Sequence, residues 1–392
     1  MISGAPAARA PLYRSMCSVT DPARAAVWCK VRRLLAIRMD NLGDVLMTTP
    51  ALAAAAASVP DLRITLLGGP AATALAAHLP MVEEVIAARV PWVRHAGDEL
   101  ANDDLTLAEQ LRGYGFDAAV IFTVCTQSAL PAAMLCRLAG IPLRLAHVRE
   151  NPYNVLSDWV PELDLELATA RHEVRRQLDL IAHVGWQCKD ERLRFALRAA
   201  DVRRVDTLLA GEPTPGSDQP LVVVHVGASA PSRRWPAERF GIAADEIIRV
   251  AGARVVYTGS LDELPLIHMA RAAMRRPSFC LAGQLSLGEL AALLARARVI
   301  ITNNSGPAHI ASAVGAPVVD LYALTNPQHT PWQVRSRVLS HDVPCRNCLK
   351  SSCPQGHHLC LRGISHQAVV AAALDLLRHD KSGGYGSPLI LS

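Results

Sequence analysis

Aromatic residues are scarce in this chain: Phe, Trp and Tyr together make up 4% of its 392 residues. An excess of charge of one sign is nearly missing too, with 40 Lys and Arg against 35 Asp and Glu, a formal +5. No basic run with interleaved aromatics occurs, which argues against nucleic acid as a partner. Long apolar runs are lacking. The softest stretch, Ala51 to Val59, is alanine-rich and far short of the about 20 residues a helix needs to cross a bilayer. The first 30 residues carry Arg9, Arg14, Asp21, Arg24 and several prolines without a continuous apolar segment. No secretion signal is read there. A cytoplasmic protein is expected, with residues 1–30 as a poorly ordered extension. Three phosphate or metal signatures are also missing: the Gly-x-Gly-x-x-Gly dinucleotide fingerprint, the Gly-Lys-Ser/Thr of a P-loop, and an Asp-x-Asp metal pair.

What is present is apolar and helix-favouring. Hydrophobic residues make up 51% of the chain, much of it alanine, enough to build large cores and to cover sheets with helices. At about 150 residues per domain, two or three domains are expected. From Val31 short apolar runs alternate with helical stretches: strands at Arg33–Arg38, Arg63–Leu67, Val85–Ala88, Asp117–Thr123 and Ile141–Ala146, helices at Asp44–Ser58, Leu105–Arg112, from Thr123 through Ala139, and His172–Val184. The run Glu212 to Pro220, rich in Pro, Gly and Ser, reads as a linker. The alternation restarts at Leu221–Val226 and continues through strands Arg254–Thr258, Phe279–Ala282, Val299–Thr302 and Pro317–Leu321, with helices Pro236–Ala251, Glu263–Met274, Leu287–Arg296, Pro307–Val314 and Gln367–Arg378. This predicts an α/β protein of two Rossmann-like, doubly wound domains, over 31–211 and 221–392, joined by 212–220 and facing each other across a cleft. Ligands bind such sheets outside the carboxyl ends of the strands, so the cleft is the expected active site.

Four motifs follow strands. The first, Arg38-Met-Asp40-Asn41-Leu42-Gly43-Asp44 through Pro50, turns at Gly43 and sets Asp44 at a helix start. Asp44 reads first as a helix cap and otherwise as a carboxylate at the mouth of the cleft. The second, His225-Val-Gly227-Ala228-Ser229 through Arg233-Arg234-Trp235-Pro236, offers a close backbone approach to a ligand at Gly227 and two guanidinium groups, suited to phosphate or simply a solvated arginine pair. The third, Thr302-Asn303-Asn304-Ser305-Gly306-Pro307-Ala308-His309, places free amides and the Ser305 hydroxyl at a helix start, an anion site for a diphosphate or an ordinary cap. His309 reads as a ligand group or as a core histidine. The fourth, Thr258 to Glu263, puts a carboxylate after a strand end where it could accept ribose hydroxyls or simply start a helix. Together the motifs could set one carboxylate, Asp44, as a base on one half, and positive charge and amide dipoles at Arg233, Arg234 and the Ser305–Gly306 helix start on the other, suited to a diphosphate.

These motifs, in this order, resemble glycosyltransferase family 9, the ADP-heptose:lipopolysaccharide heptosyltransferases, over roughly Val31 to Leu377. Gly43–Pro50, Arg234-Trp235-Pro236 and Asn304 to His309 carry most of the resemblance, with echoes at His172-Glu173-Val174, at Leu178-Asp179-Leu180 and at Cys345 to Cys360. The resemblance implies a GT-B fold and inverting, metal-independent transfer of heptose from ADP-heptose to a hydroxyl of a lipopolysaccharide core or related glycolipid. It implies no cofactor beyond the nucleotide sugar, an anionic glycolipid acceptor and peripheral contact with the inner membrane surface. The family base falls on Asp44, and the basic residue before Trp-Pro, commonly lysine, on Arg233 or Arg234. The ribose-binding glutamate falls on Glu263, and Gly43, Gly227, Ser229, Ser305, Gly306 and His309 complete the implied donor-binding set. The family's heptose-binding acid falls on Asn304, which carries no charge. That departure keeps open another nucleotide sugar, on a glycolipid or a secondary metabolite, or a non-catalytic sugar-nucleotide-binding protein.

Of ten cysteines, Cys17, Cys29, Cys125, Cys136, Cys188 and Cys280 are scattered and read as reduced thiols. Cys345, Cys348, Cys353 and Cys360 cluster around His357 and His358. Thiols, a structural metal and a disulfide all fit that spacing, and no metal site is assigned to it.

Overall fold

The computed structural model describes residues 21–93, 101–164, 166, 170–211, 219–378 and 389–391. Its first sheet is formed by β1 (Arg33–Arg38), β2 (Arg63–Gly68), β3 (Glu84–Ala87), β4 (Ala118–Ile121), β5 (Leu143–Val148) and β6 (Asp158–Pro161). A short β7 (Leu197–Arg198) follows, and the second sheet holds β8 (Leu221–His225), β9 (Arg254–Thr258), β10 (Phe279–Cys280), β11 (Val299–Asn303), β12 (Val318–Leu321) and β13 (Ser336–Leu339). The spatial orders are β3-β2-β1-β4-β5-β6 and β10-β9-β8-β11-β12-β13, the same doubly wound order twice, and every pairing is parallel. The central strands β4, β8 and β11 are buried along their whole length, because helices cover both faces. Strand order reverses between β1 and β4 and between β8 and β11, and a crevice opens there beyond the carboxyl ends. All four motifs follow strands at or beside these reversals.

The halves meet face to face. The helix Leu42–Ser58 of the first packs on the helix Gly306–Val314 of the second, within one apolar cluster that includes Leu46, Ala51, Ile310 and Ala311. Leu42–Ser58 begins with a reciprocal cap, in which the Asn41 N–H donates to Asp44 Oδ2 at 3.2 Å. Pro50 lies inside this helix and cannot donate to the carbonyl of Leu46; the Thr49 hydroxyl takes that carbonyl instead, at 2.6 Å.

Three features differ from the sequence expectation. Within the extension predicted for 1–30, Pro22–Trp28 is a helix, capped by Asp21 and anchored by Trp28. Trp28 is fully buried edge-on against Trp186, and its Nε1 donates to Asp158 Oδ2 at 3.0 Å. Residues 1–20 lie outside the described residues, as do 212–218 of the expected linker. Edge strands β6 and β13 were not anticipated. The segment before the linker serves both halves: the helix Ala199–Ala210 packs on Leu287–Arg296, and β7 pairs with β14 (Ile390–Leu391). Among the described residues no helix is long and apolar enough to cross a membrane.

Candidate active site

Asp44 occupies the first turn of its helix and is almost fully buried. Its Oδ2 caps Asn41, the expected helix cap, while its Oδ1 turns toward a buried charge cluster rather than lining the open cleft. At the centre of that cluster is Arg38, the last residue of β1, with no exposed surface. Its Nε lies 2.9 Å from Asp40, its Nη2 3.4 Å from Asp44, and its Nη1 donates to Glu173 at 2.8 Å. Burial pushes the Asp44 and Asp40 carboxyls above the ordinary carboxylate range, with Arg38 partly offsetting it. Burial also opposes ionisation of Glu173, but Arg38 and Arg176 override it and hold that group at about 2. His329 Nε2 stands 4.0 Å from Asp44 Oδ1, and burial pushes its pKa down to about 4, so a neutral imidazole faces the carboxylate at pH 7. A carboxylate with a raised pKa is a stronger base than an ordinary aspartate.

His329 belongs to a segment of the second half that clasps the first. Glu173 N–H donates to the Gln328 carbonyl at 3.0 Å, and Gln328 Nε2 to the Arg171 carbonyl at 2.9 Å. The His172 ring stacks on Trp332 and contacts the Thr330 carbonyl through Nε2 at 2.9 Å. Since Nδ1 accepts from Val174 N–H, His172 carries its proton on Nε2.

The second half contributes the expected residues with unequal roles. Arg233 is half-buried and lines the cleft; Arg234 is exposed, its Nε donating to the Ala228 carbonyl at 2.8 Å. The pair therefore divides, one guanidinium facing the cleft and one fixing the loop after β8. A Cβ on Gly227 would lie 1.6 Å from Glu263 Oε1, so only glycine lets that carboxylate rest against the strand end. Glu263 is held there by the Ser260 N–H at 2.9 Å and lies 3.7 Å from His225 Nε2. Ser305 starts the Gly306–Val314 helix with its hydroxyl on the Asn303 carbonyl at 3.1 Å. His309 lies against Gly43, where an added Cβ would come within 2.6 Å of its ring. Burial pushes the His309 pKa down to about 3, so this ring is a neutral packing element at the seam between the halves. The cleft has a volume of about 620 Å³. Asp40, Asn41 and Gln127 line it from the first half, Ser229 and Arg233 from the second.

Asn304, on which the family's heptose-binding acid falls, does not offer its N–H groups to the cleft. Its carboxamide donates to Asp320 Oδ2 at 3.1 Å and to the His329 carbonyl at 2.8 Å, and the residue is buried. Both N–H groups are thus committed to protein acceptors rather than to the open space.

Arg38, Asn303 and Glu173 stand within stretches quoted from the sequence but were given no role there, and His329 was not singled out at all. Asn303 accepts the Trp235 N–H at 3.0 Å and donates to the Val226 carbonyl at 2.8 Å, tying the Arg233 turn to β8. A cationic residue closing the apolar run Leu34–Ile37 of β1 was the local signal for Arg38; nothing local marks His329. The cysteine cluster holds free thiols, with Cys345 Sγ 3.9 Å from His357 Nε2. Among the described residues no three His, Cys, Asp or Glu side chains converge as a metal-binding group. The segment buttresses the site instead: Ser232 N–H donates to the Ser351 carbonyl at 3.0 Å and its hydroxyl to the Lys350 carbonyl at 2.8 Å.

This geometry has known relatives. Lipopolysaccharide heptosyltransferase 2 of Salmonella typhimurium is 25% identical over 364 residues, covering 89% of this chain and 99% of the relative. Among solved structures, a glycosyl transferase family 9 protein from Veillonella parvula superposes with a TM-score of 0.73 at 24% identity, over 88% of this chain and 97% of that one. The E. coli ADP-heptose LPS heptosyltransferase II superposes at 0.68 with 22% identity, over 88% and 98%. The fold is GT-B. The family profile described as glycosyltransferase family 9 (heptosyltransferase) matches residues 105–359, well over half of the chain. The two doubly wound halves, the charged cleft between them and this match place the chain in glycosyltransferase family 9, among the heptosyltransferases.

Proposed function

We propose that this glycosyltransferase moves a heptose from ADP-heptose to a hydroxyl of a lipopolysaccharide core or a related glycolipid, with inversion and without a metal ion. The observation that carries the reading is Asp44, a buried carboxylate with a raised pKa, just behind the cleft lining of Asp40 and Asn41 and within electrostatic reach of Arg233 on the opposite wall. The acceptor hydroxyl attacks the anomeric carbon from the face opposite the departing ADP, and Asp44 takes its proton. Arg233 and the amides at the start of Gly306–Val314 meet the charge that grows on the diphosphate. Glu263, beside Gly227 at the end of β8, takes the ribose hydroxyls. Closure of the halves excludes water that would otherwise hydrolyse the donor. The acceptor is anionic and lipid-linked, which goes with a cytoplasmic enzyme touching the inner membrane surface.

A panel of nucleotide sugars tests the donor. Turnover of ADP-heptose supports the reading; an inert ADP-heptose beside an active UDP- or GDP-sugar overturns it in favour of another glycosyl donor, the alternative that the uncharged Asn304 keeps in view. Transfer is expected to survive EDTA, because a guanidinium and backbone amides do the work of a divalent ion. A large loss restored by Mg²⁺ contradicts that mechanism. Arg233→Ala is expected to weaken ADP binding by about ten- to a hundredfold, the loss of a charge-assisted contact worth about 1.5–3 kcal/mol. Arg234→Ala, at an exposed residue bound to a backbone carbonyl, is expected to change it by less than about threefold. Calorimetry with ADP reads both, and equal effects would contradict the division of the pair.

A further inference from the structure

Asp320 takes no part in the chemistry described above, yet it is fully buried near the carboxyl end of β12, in register with Thr302 of β11. Its Oδ2 accepts one N–H of the Asn304 carboxamide at 3.1 Å, and its Oδ1 has no partner among the described residues. The other N–H of that carboxamide donates to the His329 carbonyl at 2.8 Å. Two residues on from Asp320, just past β12, the Tyr322 hydroxyl accepts the His329 N–H at 3.3 Å and donates to the Asn326 carbonyl. Both backbone groups of His329 are therefore tied to the end of β12, one directly through Tyr322 and one through the Asn304 bridge. The His329 ring is the group that stands 4.0 Å from Asp44.

We propose that Asp320 is a positioning residue for glycosyl transfer: it orients the Asn304 carboxamide, which fixes His329 beside Asp44, and the pair has room for only one carboxylate. The inference rests on Asp44 as the base. Burial raises the Asp320 pKa to about 7 despite the bond from Asn304, so this carboxylate is already poorly compensated. An acid at position 304 would set a second carboxylate about 3 Å away, and two such groups do not both ionise in a buried site. It would also turn an acceptor toward the His329 carbonyl. An uncharged residue at 304 is on this view a requirement of Asp320 rather than a choice made by the sugar.

Melting temperature and steady-state kinetics of four variants, measured at pH 8, test the inference. Asp320→Ala frees the bridge and is expected to lower kcat by about tenfold or more, a misplacement effect. Asp320→Asn keeps an acceptor for Asn304 and is expected to recover most of that loss. Asn304→Asp is expected to lower both melting temperature and kcat. Adding Asp320→Asn to it relieves the repulsion and restores the melting temperature, while kcat stays low because Asp at 304 cannot donate to His329. Wild-type kcat in Asp320→Ala overturns the positioning role. An Asn304→Asp melting temperature that Asp320→Asn fails to raise overturns the pairing. If Asp320→Ala does not fold, Asn304→Ala cuts the same bridge from its other end and carries the kinetic test. A wild-type protein inert with every donor counts against the proposed function alone, since the melting comparison still decides the pair.

Discussion

Asp44→Asn is expected to lose about 10²–10⁴-fold in kcat, the range of a general-base contribution, while ADP binds as before. The two effects separate because the proposed base and the proposed nucleotide site belong to different halves. The substitution is isosteric, and asparagine can still accept the Asn41 N–H, so the start of Leu42–Ser58 stays capped. What it removes is proton acceptance and one of three carboxylates around Arg38, with Asp40 and Glu173 left to balance that guanidinium. The pH profile supplies an independent sign. Burial raises the folded pKa of Asp44 above the ordinary aspartate value of 3.8, so the inactive protonated form accumulates at higher pH than for an exposed aspartate. In the wild type kcat should therefore fall on the acid side as pH drops through that raised value, and the variant should lack this limb. Full turnover in Asp44→Asn would leave Asp44 as a helix cap only.

Arg38→Met is expected to be among the most damaging substitutions outside the reacting groups. It leaves Asp40, Asp44 and Glu173 around a fully buried apolar side chain. Breaking a buried pair by removing one partner costs about 3–5 kcal/mol, because the remaining charge is uncompensated. The consequence depends on pH. Glu173 has an ordinary pKa of 4.5 and a folded value of about 2, so its ionisation contributes stability that is present above 4.5 and is lost as pH falls through about 2. Without Arg38 the folded value rises, and the acid-unfolding midpoint should move to higher pH. The Asp44 carboxyl, no longer offset by a cation, should rise as well, carrying the acid limb of kcat upward with it. Arg38→Lys keeps one charge but cannot reach three carboxylates at once, and should fall between. Denaturant melts and a kcat profile of the three proteins check this; equal stability at neutral pH would remove Arg38 from the centre of the cluster.

The parts of this protein that were legible in the sequence are those set by local pattern. Strands buried on both faces read as apolar runs, and each motif begins where such a run ends, so Asp44, Gly227 and Asn304 could be placed at carboxyl ends before any contact was known. The glycine at 227 was read as a close approach to a ligand, and the space beside it is occupied by the chain's own Glu263 carboxylate. What stayed hidden is long-range. Arg38 and Glu173 are 135 residues apart, and His329 reaches Asp44 only because residues 328–332 fold back across the cleft onto the other half. The choice between Arg233 and Arg234 depends on the short turn Pro231–Arg233 and on a carbonyl at Ala228, neither of which leaves a periodic trace. The orientation of Asn304 was missed for the same reason, since its partner Asp320 lies on the neighbouring strand. Edge strands β6 and β13 are short and half-exposed, with none of the apolar continuity that marked the central strands.

A crystal structure of the protein with ADP bound is the most direct measurement. The nucleotide should lie on the second half, its ribose against Glu263 and its β-phosphate between Arg233 and the start of Gly306–Val314, open on one side toward Asp44. ADP held by the first half, or with its β-phosphate turned away from both Arg233 and Asp44, would contradict the assignment of base and leaving-group site.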